Sequence, residues 1–343
     1  MDLRPFLTQI SLGRSLDQQQ AEDAFNVMMS GDATPAQMGA LLMGMRVRGE
    51  TEAELTGAAR AMRAKAVKIK PPPGAIDTCG TGGGPKGTLN ISTAVALVVA
   101  GAGVPVAKHG NRAASSKSGS SDVLGALGVN IDADMSLVER ALWEANIAFM
   151  MAPRHHGATR HVAGVRTELA TRTIFNLLGP LSNPAEAPRQ LMGIFAAEYV
   201  ERQAKVLGAL GSERAWVVHG SDGMDELTTT GTSTVAELNN GQVTLFELSP
   251  ADAGIPTAST NDLQGGTPDE NAKALRALLD GAKNSYRDIV LYNAAAAFMV
   301  SDKVTDLKAG VTMAEASIDG GMANTALAKL IAITNEAPPP ERL

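Results

Sequence analysis

Three prolines and a glycine, Pro71-Pro72-Pro73-Gly74, split this chain into two stretches with different apolar rhythms. Proline cannot continue a helix, so the run is a stiff connector that predicts a domain boundary near residue 70. Before it, over residues 3–67, apolar side chains recur at helical spacing: Met38, Leu41, Leu42 and Met45, then Leu55, Ala58, Ala59 and Met62. Thr34-Pro35-Ala36-Gln37 and Thr51-Glu52-Ala53-Glu54 carry the helix-start pattern in which a hydroxyl and a side chain three residues on satisfy each other's amides, with Gly31 and Gly49 as stops. These residues predict helices packed on one another, their apolar stripes spent on a core.

Beyond the connector, short apolar runs at 104–107, 147–151, 191–195 and 215–218 alternate with helical segments at 91–102, 137–145 and 199–210. Alternation of this kind predicts an α/β domain with a mostly parallel central sheet flanked by helices. Ser136-Leu137-Val138-Glu139 and Thr267-Pro268-Asp269-Glu270 are further helix starts. Asn239-Asn240-Gly241 predicts a hairpin at an antiparallel edge, the chain from 267 onward reads as mainly helical, and 338–343 as a loose end. With 343 residues, 44% of them apolar, the chain has material for one large domain and a smaller companion, and it shows no internal repeat.

Composition excludes several classes of function. A net charge of −6 gives no global field for nucleic acid, so any anion has to be met locally. A single cysteine, Cys79, rules out a disulfide within the chain and fits a reducing compartment; with no base paired to it in sequence, it reads as a small structural residue. No signal peptide and no uninterrupted apolar stretch of about 20 residues is present, so the expectation is a cytoplasmic protein that does not span a membrane.

Against that background, residues 77–127 stand out. Gly80, Gly82, Gly83 and Gly84 offer backbone amides without a Cβ, and the helix start Asn90-Ile91-Ser92-Thr93 follows, with Asn90 or Ser92 as its cap. Lys108, His109, Gly110, Asn111 and Arg112 then close the short strand at 104–107, at the end where α/β sheets bind ligands. Each part has an ordinary reading: the glycines as a turn, His109 as a satisfied core histidine, the serines of 115–121 as a plain loop rather than a mobile lid. Pro85 and Gly87 around Lys86 break the Walker pattern. Together, within one βαβ-sized window, these groups predict a polyphosphate site.

GTGG at 80–83, NIST at 90–93, KHGN at 108–111 and SSKSGSSD at 115–122 resemble the anthranilate phosphoribosyltransferase family, as do 166–184, SDGMDEL at 221–227, GGTPDENA at 265–272 and NAAAA at 293–297. The resemblance covers nearly the whole chain. It implies that 166–184 returns to pack with the N-terminal helices, giving a discontinuous small domain of 1–70 plus that segment, and a large domain of 71–165 and 185–343. It also implies a homodimer through the small domains.

For the site, the resemblance implies that Gly80, Thr81, Gly82 and Gly83 hold phosphoribosyl pyrophosphate, with Asn90, Ser92 and Thr93 on its diphosphate, Lys108 on its phosphates and Ser120 on its phosphoribosyl group. Gly80, Asn111 and Arg166 would meet anthranilate, with His109 and Pro180 lining its channel. Ser92, Asp225 and Glu226 would hold Mg²⁺, although an Asp-Glu pair read alone is more often an ordinary surface feature. An aniline-type amine is neutral at pH 7 and needs only a late proton acceptor, so no general base is assigned and His109 is a candidate. The family usually reads GTGGD; here Gly84 stands at the last position and Lys86 lies close by, which implies a weaker or shifted second magnesium site. Two other readings remain at this point: a pyrimidine nucleoside phosphorylase, whose resemblance is to a longer chain, and a non-enzymatic nucleic-acid-binding relative, which would be depleted in these motifs and basic.

Overall fold

The computed structural model describes residues 2–84, 87–112 and 118–337. Pro85, Lys86, most of the serine-rich loop and the closing 338–343 lie outside them. The first helices are α1 (Arg4–Ser11), α2 (Gln18–Ser30), α3 (Pro35–Arg48) and α4 (Glu52–Ala64). Thr34 and Thr51 cap α3 and α4 with both bonds of the expected box, and Gly31 and Gly49 end α2 and α3 at positive φ. Asp17 and Gln20 form a third such box, one that the sequence pattern alone did not single out.

The large body alternates strands and helices: β1 (Ile76–Gly80), α5 (Ile91–Gly101), β2 (Val106–Gly110), α6 (Ser120–Ala126), α7 (Met135–Glu144) and β3 (Ile147–Met151). After the short α8 (Ala152–His155) come α9 (Arg160–Leu169) and α10 (Phe175–Leu178), then β4 (Arg189–Gly193), α11 (Val200–Ala209), β5 (Arg214–Gly220), β6 (Ser233–Asn239) and β7 (Gln242–Leu248). Helices α12 (Pro268–Leu279), α13 (Ser285–Val300), α14 (Leu307–Asp319) and α15 (Met322–Thr334) finish the chain. Asp134, not Ser136, caps α7: its carboxylate accepts the Ser136 amide. The hairpin falls at the expected residues, with Asn240 and Gly241 both at positive φ between β6 and β7.

The sheet order is β3-β2-β1-β4-β5-β6-β7, parallel through β5 and antiparallel beyond. Strand side chains alternate between two cores. Leu191, Trp216, Val218 and Val235 join the cluster built on α5 and the C-terminal helices, whereas Met192, Ile194, Ala215, Val217 and Ala236 join the cluster that holds the N-terminal helices, α9, α10 and α11. Val162 and Val165 of α9 and Phe175 of α10 pack into that second cluster, and the Phe175 ring lies 5.5 Å from Phe25.

The chain winds outward in opposite directions from β1 and β4. That is the topological switch point, and a crevice opens there at the carboxyl ends of the strands.

Candidate functional site at the switch point

The crevice is floored by two glycines. Gly80 ends β1 and Gly193 ends β4, and a Cβ on either would meet Asp225: 2.4 Å from its Oδ2 at Gly80, 1.7 Å from its carbonyl oxygen at Gly193. Absence of side chains there lets the loop after β5 drop between the strand ends. Asp225 Oδ2 accepts the Gly82 amide at 2.8 Å, so the glycine turn and the acidic loop are joined. Gly82 and Gly83 have φ of 67° and 92°, a region in which a side chain is strained. Thr81 completes the turn: its amide donates to the Gly193 carbonyl, and its hydroxyl accepts the Phe195 amide at 3.0 Å.

Asp225 and Glu226 stand side by side at the mouth, each still partly exposed yet enclosed by the crevice walls. Burial raises both carboxyls, and Asp225 adds to the effect on its neighbour, which is pushed up to about 8 against the pull of Lys108 and the Ser92 amide. Two carboxylates that resist sharing negative charge are a ready seat for a divalent cation. Among the described residues no cluster of three or more His, Cys, Asp or Glu is gathered. Mg²⁺ needs none, since it uses one or two carboxylates with substrate and water oxygens, and the donor set here is hard oxygen throughout.

Across the crevice, α5 begins with Asn90, Ser92 and Thr93. Asn90 is the N-cap by position, but its side chain makes no cap bond. Its amide is engaged instead with Ser118 and Asn271. Lys108 is buried, its Nζ donating to the Thr78 carbonyl at 2.5 Å and the Ser92 hydroxyl at 3.2 Å. Burial lowers its basicity, and Asp77 opposes that most strongly. Thr93 is buried, and its hydroxyl has no hydrogen-bond partner among the described residues.

His109 faces the other side of the strand. Its Nδ1 lies 3.1 Å from the Gly179 carbonyl, an acceptor, so Nδ1 carries the hydrogen and Nε2 is left with a bare lone pair and no partner among the described residues. Burial, helped by neighbouring His156 whose ring lies 5.1 Å away, holds the imidazole well below its ordinary pKa. Asn111 is exposed just past β2, its carbonyl taking the Ser120 hydroxyl at 3.3 Å. Pro180 is buried, its carbonyl held by Gln190 of β4 at 2.8 Å. Arg166 projects from α9 with its guanidinium 5.3 Å from the centre of the Phe175 ring, making no hydrogen bond to the other expected residues.

Three residues given no role by the sequence belong to this arrangement. Arg172 donates to the Gly83 carbonyl and lies over the Phe195 ring. Asn271 and Tyr286 both bond Asn90. Arg172 and Asn271 sit inside 166–184 and 265–272, stretches singled out by resemblance, but their own roles had no local signal.

Residues 72–324 match the model described as the a/b domain of a glycosyl transferase family, and 4–66 match that of its helical bundle domain. The chain is 60% identical to the anthranilate phosphoribosyltransferase of Paramagnetospirillum magneticum over 97% of this chain and 96% of that protein, and 60% identical, with the same coverage, to that of Rhodospirillum rubrum. Among solved structures, the anthranilate phosphoribosyltransferase of Thermus thermophilus is 40% identical and superposes with a TM-score of 0.92, covering 98% of this chain and all of that one. The Saccharomyces cerevisiae enzyme in complex with PRPP and Mg is 27% identical, with a TM-score of 0.88 over 97% of each chain.

Proposed function

The chain belongs to the anthranilate phosphoribosyltransferase family, and from that premise we propose how its crevice performs the transfer. The protein moves the phosphoribosyl group of phosphoribosyl pyrophosphate to the amine of anthranilate, a step of tryptophan biosynthesis, giving N-(5-phosphoribosyl)anthranilate and pyrophosphate. The C1–oxygen bond to pyrophosphate breaks, the nitrogen–C1 bond forms, and the amine gives up one proton. The observation that carries the reading is the bond from Gly82 to Asp225, which places a glycine anion turn against an acidic pair at the sheet's switch point.

Gly80 to Gly83 and the start of α5 at Asn90, Ser92 and Thr93 receive the diphosphate, and Ser120 the phosphoribosyl group. Lys108, tied to Ser92, serves the phosphates by its field and by fixing that hydroxyl. Asp225, Glu226 and Ser92 hold Mg²⁺, which when bound supplies neutralising charge to the departing pyrophosphate. Arg166 meets the anthranilate carboxylate, a match for a planar guanidinium, while Gly80, Asn111, His109 and Pro180 line the amine's approach. The bare Nε2 of His109 is a weak base, suited to accepting a hydrogen bond from the amine rather than resting protonated. The small domain is taken as 1–70 with 166–184, supported by the cluster that α9 and α10 share with the first helices.

We further propose a homodimer through that domain and a cytoplasmic location. Exposed Leu12 on α1's end and Val47 on α3 favour the first, at 64% and 82% exposure. The second is consistent with one reduced cysteine and with no helix, among the described residues, long and apolar enough to cross a membrane. Steady-state kinetics of Arg166→Ala test the anthranilate assignment: KM for anthranilate rises at least tenfold, and an unchanged KM removes Arg166 from the site.

A further inference from the structure

We propose that Asn271 is a positioning residue for phosphoribosyl pyrophosphate: it fixes which end of the Asn90 carboxamide is presented to the diphosphate. The inference deepens the placing of Asn90 given above and rests on it.

An asparagine side chain has a donor end and an acceptor end of nearly the same shape, so its orientation is decided by neighbours that can only donate or only accept. Here the deciding neighbour is a backbone amide. The Gly266 N–H can only donate, and it reaches Asn271 Oδ1 at 2.7 Å. Asn271 Nδ2 is therefore the end that lies 2.8 Å from Asn90, and because an amide nitrogen only donates, the Asn90 atom it meets is Oδ1. Asn90 Nδ2 is left turned toward the serine-rich loop, where it donates to the Ser118 carbonyl at 3.3 Å. One of its two N–H groups has no acceptor among the described residues. The Ser118 hydroxyl, which can donate or accept, donates to Asn90 Oδ1 at 3.2 Å in this orientation.

The relay is rigid at each step. Asn271 is buried at 1% exposure on the first turn of α12, just behind the Thr267 and Glu270 capping box. Gly265 closes over it so tightly that a Cβ there would come within 2.7 Å of Asn271 Oδ1 and of the Thr88 carbonyl. The Tyr286 hydroxyl donates to the Asn90 carbonyl at 3.1 Å, holding the backbone from which the amide swings. A donor is thus aimed in advance where anionic oxygens arrive, and ordering it costs nothing at the moment of binding. Turned over, the same side chain would offer the diphosphate a carbonyl oxygen and repel it.

The test is a double-substitution cycle read as KM for phosphoribosyl pyrophosphate, with KM for anthranilate and the melting temperature as companions. Asn271→Asp keeps the Gly266 bond but offers Asn90 an acceptor, so it turns the amide over; KM for phosphoribosyl pyrophosphate rises at least tenfold, more than for Asn271→Leu, while KM for anthranilate stays within about twofold. A purely structural role predicts the opposite order, since aspartate is the closer mimic. Placed in an Asn90→Ala background, both substitutions lose most of their effect on that KM. If Asn271→Asp costs as much without the Asn90 amide as with it, the loss is charge repulsion or misfolding and the proposal is overturned. Should Asn271→Asp not fold, the uncharged Asn271→Leu cycle decides by the same criterion. Asn90→Ala alone separates the two levels: a raised KM with an additive cycle sinks only the role of Asn271, whereas an unchanged KM sinks the placing of Asn90 and the role of Asn271 together.

Discussion

Arg172 donates from Nη2 to the Gly83 carbonyl at 3.0 Å, binding the returning helical segment to the glycine turn. The same guanidinium lies 4.0 Å from the centre of the Phe195 ring, and Phe195 in turn bonds the Thr81 hydroxyl. A hydrogen bond and a cation–π contact at an exposed site contribute about 1–2 kcal/mol together. Arg172→Ala should raise KM for phosphoribosyl pyrophosphate about tenfold and leave kcat within about threefold, as steady-state kinetics would show. A KM within twofold of the parent would mean the turn holds its shape unaided.

Asp225→Asn removes a charge from the mouth while keeping an acceptor for Gly82. We expect kcat to fall on the order of 10²-fold or more and half-maximal activity to need more Mg²⁺. Without metal, the melting temperature should not drop, because the substitution relieves the repulsion that helps push Glu226 up to about 8. A variant that loses stability in step with activity would make Asp225 a structural residue.

At Gly84 a Cβ would stand 3.0 Å from Asp225 Oδ1 and 3.2 Å from the Gly223 carbonyl, so a carboxylate placed there would join the acidic pair. Gly84→Asp is expected to move the magnesium optimum of the reaction to lower concentration. A superimposable activity profile against Mg²⁺ would show that the glycine has no bearing on the metal.

His156 is buried and its pKa is lowered to about 4, first by burial and then by neighbouring His155. The folded protein therefore holds the neutral ring while the unfolded chain takes up a proton near pH 6.5. Its contribution is fully present above about pH 6.5 and is lost as pH falls toward 4, amounting to roughly 2 kcal/mol by pH 5. Urea unfolding at pH 7.5 and pH 5 should show this loss, and His156→Gln should reduce it. If the parent and the variant have the same pH dependence, His156 is not the group responsible.

The residues explain which parts of this fold are legible in advance. Helix starts at Thr34, Thr51 and Thr267 and the turn at Asn240-Gly241 depend on atoms within a few positions, and the structure reproduces them. The apolar pattern predicts strand β2 over 104–107, but it runs Val106–Gly110, because Lys108 and His109 are polar and yet buried, satisfied by Thr78 and Gly179 from other parts of the chain. Strand β1 has no apolar signature for the same reason: Asp77 lies within it, buried against Asn183 at 2.7 Å. Arg172, Asn271 and His156 act through partners brought close only by folding, so no local pattern marks them.

The central claim is phosphoribosyl transfer to anthranilate, and it is tested most directly by following anthranilate fluorescence with purified protein, phosphoribosyl pyrophosphate and Mg²⁺, omitting each in turn. The account predicts that the anthranilate signal decays only in the complete mixture, with one pyrophosphate released per anthranilate consumed. A well-folded protein that leaves the signal unchanged in the complete mixture would contradict it.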